Sequence, residues 1–257
     1  MTRFVLLLSS LLLYPALASA QTAPTTAPMA ASSAADDPAL AIPAPVLQPF
    51  IATYAVFAND HRLGDAVLQL QSLGDSRWRI DLTMHGSGLV RLTGLNVQQS
   101  IVFDSDGQHY RPLSQSTHRR VFLSTRKSTG VYDWANHVAR WTGDLKPSRR
   151  APVALQDGDM SGLLIDLAVI RDAAPGKTLH YRYVDGGRAR EHTYMVAAEP
   201  ESVEVDGLGY SAMRVARMEA DGDQTTVWVA HGVPTPIRLL QREDGDDSTD
   251  LRLIEYQ

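Results

Sequence analysis

Short strand-like segments joined by Asp- and Gly-containing turns recur along most of this chain, and they restrict the folds available to it. "WRIDLTM" (78–84) alternates apolar and polar residues, as a half-buried strand does. Hairpins are predicted to reverse at 59–60, 104–107, 135–136, 185–187, 221–223 and 244–248. Strands joined by such short turns run antiparallel. We therefore predict a mainly β fold, a single curved antiparallel sheet or half-barrel of roughly 10–13 strands.

One segment near the middle of the chain has the periodicity of a helix. In "DGDMSGLLIDLAVIRD" (157–172), apolar residues recur at spacings of three and four. Pro175 and Gly176 then end the pattern. The spacing predicts one helix over 158–172, with the sheet wrapped around it as a single central α-helix.

Two acids open this helical segment, and they allow two interpretations. Asp157 and Asp159 are either a catalytic or metal-binding pair, or caps for the free N–H groups at the helix start. A carboxylate there is also favoured by the helix dipole. Ser161 offers a competing cap, so the helix is expected to begin between 158 and 162. We favour the capping role.

The chain begins with the features of a secretory signal. Arg3 precedes an apolar run over 4–13, which is shorter than the about 20 residues that a transmembrane helix needs. Ala18, Ser19 and Ala20 then have the small-x-small form of a cleavage site. We predict a signal peptide over 1–20, cleavage after Ala20, and a periplasmic mature protein with no transmembrane segment.

The next segment differs in composition from everything after it. Residues 21–48 are rich in Ala, Pro and Thr and carry almost no large apolar side chains, so we predict a disordered linker. One β-rich domain is then expected over 49–257. The chain has no cysteine, so its stability outside the cytoplasm must come from a sufficient core.

Motifs for catalysis or metal binding are absent from the sequence. The eight histidines form no H-x-H or H-E-x-x-H pair, and Ser87 lies in "HGSG" rather than G-x-S-x-G. We therefore predict no catalytic residues, no cofactor and no metal. The formal charge of −5 gives no overall attraction to nucleic acid. Two basic patches, Arg119/Arg120 and Arg149/Arg150, are either solvated strand edges or contacts for an anionic headgroup or glycan.

The helical segment also carries a resemblance to a known family. "QDGDMSGLLIDLAVIRDAAPGKTLHYRYVDGG", "PFIATYAVFANDHRLGDAVLQL", "HYRPLSQST" and "TTVWVAHGVPTPIRLLQRE" resemble an exported bacterial family catalogued as domain of unknown function 3108. The resemblance spans most of 49–257. It implies a fold similar to the half-barrels of periplasmic lipoprotein carriers of the LolA/LolB type, in which the concave side of the sheet can hold an acyl chain. It implies no activity.

Three functional hypotheses follow. The first is a non-enzymatic periplasmic protein of the cell envelope that acts as a binding or accessory module for a small molecule or an envelope protein. The second is a carrier of a hydrophobic ligand, a lipid or a lipoprotein acyl chain, which requires a cavity of several hundred Å³. The third is an envelope hydrolase. For the second hypothesis, the candidate cavity and helix-plug residues are Met160, Leu163, Leu164, Leu167, Trp78 and Trp228.

Overall fold

A computed structural model describes residues 47–88, 90, 94–121, 124–218, 224–243 and 246–257. The predicted signal peptide and the predicted linker up to residue 46 lie outside the described residues. So do the predicted turn at 221–223 and the first part of the turn at 244–248.

The described chain is almost entirely β-structure, as the alternating sequence predicts. Short turns connect most of its strands, and a 3₁₀ turn lies at Pro147–Arg149. The strands and the helix, in chain order, are β1 (Phe50–Ala58), β2 (His61–Gly74), β3 (Arg77–Gly86), β4 (Asn96–Ser105), β5 (Tyr110–Val121), β6 (Ser124–Asp133), β7 (Val138–Gly143), β8 (Val153–Ala154), α1 (Gly162–Asp172), β9 (Thr178–Asp185), β10 (Arg188–Val196), β11 (Glu201–Val205), β12 (Leu208–Met218), β13 (Gln224–Ala230), β14 (Arg238–Glu243) and β15 (Asp246–Tyr256).

All of these strands belong to one antiparallel sheet, which confirms the predicted fold class. Its order is β8-β7-β6-β5-β4-β3-β2-β1-β15-β14-β13-β12-β10-β9, and β11 pairs with β12. The fifteen described strands exceed the predicted number, because the two-residue β8 and the β11–β12 hairpin at Asp206-Gly207 carry weak alternation. The first predicted turn is confirmed, since Asn59 and Asp60 both have positive φ, as a type I′ hairpin requires.

The two edges of the sheet, β8 and β9, are brought together by residues 153–160, which we call the seam. The Leu155 N–H donates to the His137 carbonyl at 2.9 Å, on the β7 side. The Met160 N–H donates to the Arg182 carbonyl at 3.0 Å, and Val184 N–H donates to the Met160 carbonyl at 2.8 Å. Main-chain bonds on both sides thus curve the sheet into a nearly closed barrel, further than the predicted half-barrel.

A second, smaller hydrophobic core packs along the seam. It consists of Tyr132, Ala139, Trp141, Leu155 and Val184, all buried. The Tyr132 hydroxyl donates to the Val184 carbonyl at 2.7 Å, which links β6 to β9 across the gap. The rings of Tyr132 and Trp141 meet edge to face with centroids 5.4 Å apart. Side-chain packing therefore reinforces the few main-chain bonds that close the barrel.

Helix α1 begins at the last position of the predicted range and is buried on most of its surface. It starts at Gly162 and ends at Asp172, and its backbone lies nearest to β9 and β5. Its buried side chains are Leu163, Leu164, Ile165, Leu167, Ala168 and Val169. They join the main core inside the sheet. The finer prediction, a sheet wrapped around one central helix, is not confirmed by this single short helix.

The capping role predicted for Asp157 and Asp159 is wrong. The N-cap residue is Ser161, whose backbone is extended and whose hydroxyl makes no capping hydrogen bond. Asp159 instead accepts hydrogen bonds from the Gln156 N–H at 2.9 Å and from Arg182. Asp157 is exposed. The reason is that Met160 pairs with β9, so the chain remains extended there and the helix begins only after the two acids.

Candidate functional site

The barrel contains a partly open cavity of about 740 Å³, lined by the first turn of α1 and by strands of the sheet. The helix contributes Gly162, Leu163, Ile165 and Asp166 to its wall. In an antiparallel meander alternate turns lie at the same end, so the β1–β2, β3–β4, β9–β10 and β14–β15 turns share one end of the barrel. We call the cavity residues near these strand ends the rim: Leu63, Leu95, Arg119, Arg190 and Glu243.

One wall of the cavity is apolar. It is formed by inward residues of β2, β3, β4, β14 and β15, because alternate residues of a strand point to the same face. Met84 of β3 pairs with Val97 of β4, and Leu82 lies two residues before Met84 on the same face. These three side chains are only partly buried, since they border open volume. The apolar wall comprises Leu63, Leu82, Met84, Val97, Leu239 and Leu251.

The facing wall is polar and rich in arginine. On β10 the inward positions are Arg188, Arg190, His192 and Tyr194, and β12 adds Arg217. Burial lowers the pKa of Arg188, and the neighbouring positive charges of Arg190 and Arg149 lower it further. Arg190 and Arg149 therefore lie close enough to Arg188 to repel it, and Asp185 lies close enough to attract it.

Arg119 of β5 places a further positive charge on the cavity wall. It pairs in register with Val97 of β4, so the basic and apolar walls meet at these two residues. Neither Arg119 nor Arg188 makes a side-chain hydrogen bond or an ion pair within the described residues. Both guanidinium groups border the cavity and can therefore accept an anionic partner from it.

Two acids border the same cavity, and burial favours the neutral form of each. Burial raises the pKa of Asp166 to about 7, with a smaller opposing effect from Arg217. Asp166 lines the cavity and is half-buried. Burial also raises the pKa of Asp185, although the Gln115 amide, which donates to it at 2.7 Å, and the positive charge of Arg188 oppose the shift. Asp185 therefore offsets only part of the positive charge on this wall.

The structure brings only part of the predicted cavity set to the cavity. Leu163 borders it, whereas Met160, Leu164 and Leu167 are buried in the main core. Trp78 is partly buried against that core, away from the cavity. Trp228 is also buried elsewhere: its indole N–H donates to Glu201, and the Arg238 guanidinium lies 5.0 Å from its ring.

The basic wall is the part of the site that sequence reasoning missed. Arg119, Arg188 and Arg190 lie in strands whose two faces both read as polar, so hydrophobic alternation gives no inward direction there. The segment "RAREHTYMV" (188–196) does carry a signal, since its alternate residues Arg188, Arg190, His192 and Tyr194 are all large. Such a strand in a closed sheet indicates a polar lumen rather than a solvated outer face.

The two basic patches of the sequence separate in the structure. Arg119 faces the cavity, while its neighbour Arg120 lines an open groove of about 560 Å³. His85 and Ser87 line the same groove, without a hydrogen bond between their side chains in the described part of the chain. The Arg149 backbone closely approaches Gly187 beside the seam.

Within the described residues, no group of three His, Asp or Glu side chains is arranged to hold a metal ion. None of the helices described has the length and apolar character that crossing a bilayer requires.

The fold and the cavity define a class: β-barrel-like proteins with an internal volume large enough for a small molecule. More particularly, the chain belongs to the family described as "Protein of unknown function (DUF3108)", whose pattern matches residues 53–252. The match confirms the resemblance stated above. No curated protein sequence matches the chain.

Two solved structures are similar to this one. A β-barrel-like protein of domain of unknown function DUF1849 from Brucella abortus has a TM-score of 0.51 and 11% identity, covering 82% of this chain and 98% of that one. A DUF1089 family protein from Pseudomonas aeruginosa has a TM-score of 0.35 and 14% identity, covering 67% and 87%. The first supports the barrel-like fold alone, and the second is too distant to carry an argument.

Proposed function

We propose that this protein is a non-enzymatic binding protein of the bacterial cell envelope that holds a hydrophobic or amphipathic small molecule inside its barrel. The observation that carries this proposal is the cavity of about 740 Å³. Its volume falls in the range of small-molecule sites, about 300–1,000 Å³. A solid core would have contradicted the ligand-carrier hypothesis.

The size of the cavity argues against a simple packing defect. Protein interiors are close-packed, and voids larger than a water molecule are few. Here several half-buried apolar side chains, among them Leu82, Met84 and Val97, border the same open volume. Apolar surface left in contact with water costs about 25 cal/mol per Å². A bound ligand would recover this energy, so the cavity supports a binding role.

The periplasmic location and the absence of catalysis are two further parts of the proposal. Each has its own support. The basic start, apolar run and Ala18-Ser19-Ala20 site support export to the periplasm. The histidines are dispersed over the fold, and most of those described are exposed. A hydrolase would need them to converge with a nucleophile and an acid. The alternative function is that of an accessory protein that binds an envelope partner. Its support is less specific than the support that the cavity gives to ligand binding.

Binding of an uncharged fluorescent probe, N-phenyl-1-naphthylamine, tests the proposal directly. The full chain is expected to bind it, with a rise in fluorescence. Met84→Trp should abolish binding, because the indole would fill the cavity beside Val97. Thr83→Trp is the matched control, since Thr83 lies on the same strand and faces the other way.

Folding of each variant is checked by circular dichroism. Probe binding that is equal in folded Met84→Trp and in the wild type would place the probe outside the cavity. That result, or no binding to the wild type, would overturn the proposed function.

A further inference from the structure

We propose that the ligand is a single-chain anionic amphiphile, whose carboxylate or phosphate head binds Arg119 and Arg188 while its alkyl chain lies along the apolar wall. This inference rests on the proposed function, because it assigns a chemical class to the ligand of the same cavity.

The arrangement of the two walls carries the first step. Arg188 and Arg190 are at inward positions of β10, and Met84 and Val97 are at inward positions on the other side of the barrel. A molecule that fills this cavity therefore contacts arginine on one side and aliphatic carbon on the other. An entirely apolar ligand would cover Arg119 and Arg188, which make no ion pair among the described residues, and would offer them no partner, which is unfavourable.

The sign of the charge carries the second step. Arg190 and Arg149 repel Arg188, while Asp185 attracts it. Arg119 and Arg188 make no ion pair among the described residues. Arg119 and the rim carboxylate Glu243 are both exposed, whereas Arg188 is half-buried. The cavity lining carries four arginines (Arg119, Arg188, Arg190 and Arg217) against three acids (Asp166, Asp185 and Glu243), so an anion is the charge type that the wall lacks.

The shape of the guanidinium group carries the third step. Its planar fork donates paired hydrogen bonds that match a carboxylate or a phosphate. Arg119 pairs in register with Val97, so the head and the start of the chain would be adjacent at the rim. A cavity of about 740 Å³ fits one alkyl chain with a compact head as its ligand.

Displacement of N-phenyl-1-naphthylamine by three compounds of equal chain length tests the inference. These are dodecanoate, dodecyl phosphate and uncharged dodecanol, each titrated into the full chain. At least one anion is expected to bind about tenfold or more tightly than dodecanol, since a hydrogen bond to a charged group is stronger than one to a neutral hydroxyl. Tighter binding of dodecanoate assigns a fatty acid, and tighter binding of dodecyl phosphate assigns a phosphorylated lipid.

Two arginine variants locate the head. Arg119→Gln and Arg188→Gln are expected to reduce the preference for the anion over dodecanol about tenfold each, and this ratio is measured within each variant. Arg120→Gln is the matched control, because Arg120 neighbours Arg119 and lies outside the cavity lining. If an arginine variant does not fold, the salt dependence of the wild type replaces it: anion binding should weaken with ionic strength, and dodecanol binding should not.

The two proposals fail in different ways. Equal displacement by dodecanol and by both anions, with the probe still binding in the cavity, would overturn the anionic ligand and leave the proposed function standing. An anion preference that survives both arginine substitutions would also overturn it. No binding of the uncharged probe would overturn the proposed function itself.

Discussion

A buried acid, Asp159, and a half-buried one, Asp166, lie close together in the sequence, yet their surroundings give them different properties. Asp159 is fully buried, and both of its carboxylate oxygens accept hydrogen bonds from Arg182, at 2.7 and 2.6 Å. Asp166 makes no side-chain hydrogen bond within the described residues, and Arg217 affects it only through its charge. The first acid is held as part of an ion pair, whereas the second has its pKa raised to about 7.

Asp166→Asn should remove a pH dependence of stability. Folded Asp166 keeps its proton up to about pH 7, whereas the unfolded residue loses it near its usual value of 3.8. Stability should therefore fall as pH rises between these values. Above this window the variant should be more stable than the wild type, by on the order of a few kcal/mol. Urea unfolding below and above the window measures this.

Asp157→Asn is the control for that comparison, because Asp157 is exposed on the turn before the helix. It should unfold like the wild type at every pH. The same pH profile in Asp166→Asn and the wild type would contradict the burial of Asp166 as the cause.

Arg182→Ala should destabilise the protein strongly, because it leaves the Asp159 carboxylate buried without its counter-charge. Loss of one partner of a buried pair costs about 3–5 kcal/mol. Chemical unfolding gives the free energy, and Arg62→Ala is the control. Arg62 forms an exposed pair with Asp65, and such pairs contribute about 0–1 kcal/mol. Adding Asp159→Asn to Arg182→Ala should restore part of the loss, and a further loss would contradict the explanation.

At the scale of elements, the seam is where the barrel depends on very few contacts. Most neighbouring strands form continuous ladders, whereas Leu155 makes one main-chain bond on the β7 side and Met160 makes two to β9. The backbones at Gly187 and Arg149 also pack closely beside the seam. A Cβ atom on Gly187 would lie 1.9 Å from the Arg149 carbonyl oxygen. The absence of a side chain at Gly187 therefore allows the segments beside the seam to pack.

Gly187→Ala should open the seam, and Gly186→Ala provides a matched control. Both glycines have positive φ, at 77° and 56°, so both substitutions incur the backbone strain of about 1–2 kcal/mol. Only Gly187 would clash, because nothing lies within 4 Å of a Cβ on Gly186. Gly187→Ala should cost about 1–3 kcal/mol more. It should also accelerate hydrogen exchange at the Met160 and Val184 amides, and equal effects of the two variants would contradict this.

The helix stabilises the fold through buried leucines. Leu164 is fully buried in the main core, so Leu164→Ala should cost about 2–5 kcal/mol. Leu208→Ala is the control, since Leu208 is 55% exposed and such surface changes usually stay within about 0.5 kcal/mol. Thermal unfolding of both variants measures the difference. A small effect of Leu164→Ala would mean that α1 packs less tightly than its burial indicates.

At the scale of the whole molecule, strands from both halves of the sheet line the cavity. A ligand bound there contacts both halves and should stabilise the entire folded domain. At a free concentration one hundred times its dissociation constant, a ligand specific to the folded state adds about 2.7 kcal/mol. We expect the preferred anion to raise the unfolding free energy of the wild type and of Arg120→Gln. It should leave folded Met84→Trp unchanged, and a rise there would contradict binding inside the barrel.

The sequence predicts those parts of the fold that depend on near neighbours. Strand alternation and the Asn59-Asp60 turn are local, and the structure confirms them. The sequence predicts the start of α1 only as a range, 158–162, and Gly162 lies at its end, because the pairing of Met160 with Tyr183 depends on a strand that follows the helix. Asp159 likewise pairs with Arg182, a partner 23 positions away.

The cavity is less predictable than the strands. Apolar residues in a strand have the same pattern whether they face a packed core or an open volume. Leu164 and Leu82 illustrate this, since one is fully buried in the core and the other borders the cavity. A packed core and an open cavity differ only in the distance between opposite walls of the barrel. That distance is set by the way the whole sheet closes.

The pairing of β1 with β15 has a consequence for the order of folding. Ala52 is the register partner of Tyr256, so β1 cannot complete its pairing until β15 has formed. Until β15 is synthesised, β1 presents an unpaired edge that other chains can join. Contacts between residues so far apart in sequence also slow folding, because the loop must close before the contact forms. The nascent domain should therefore depend on protection from aggregation until its final residues emerge.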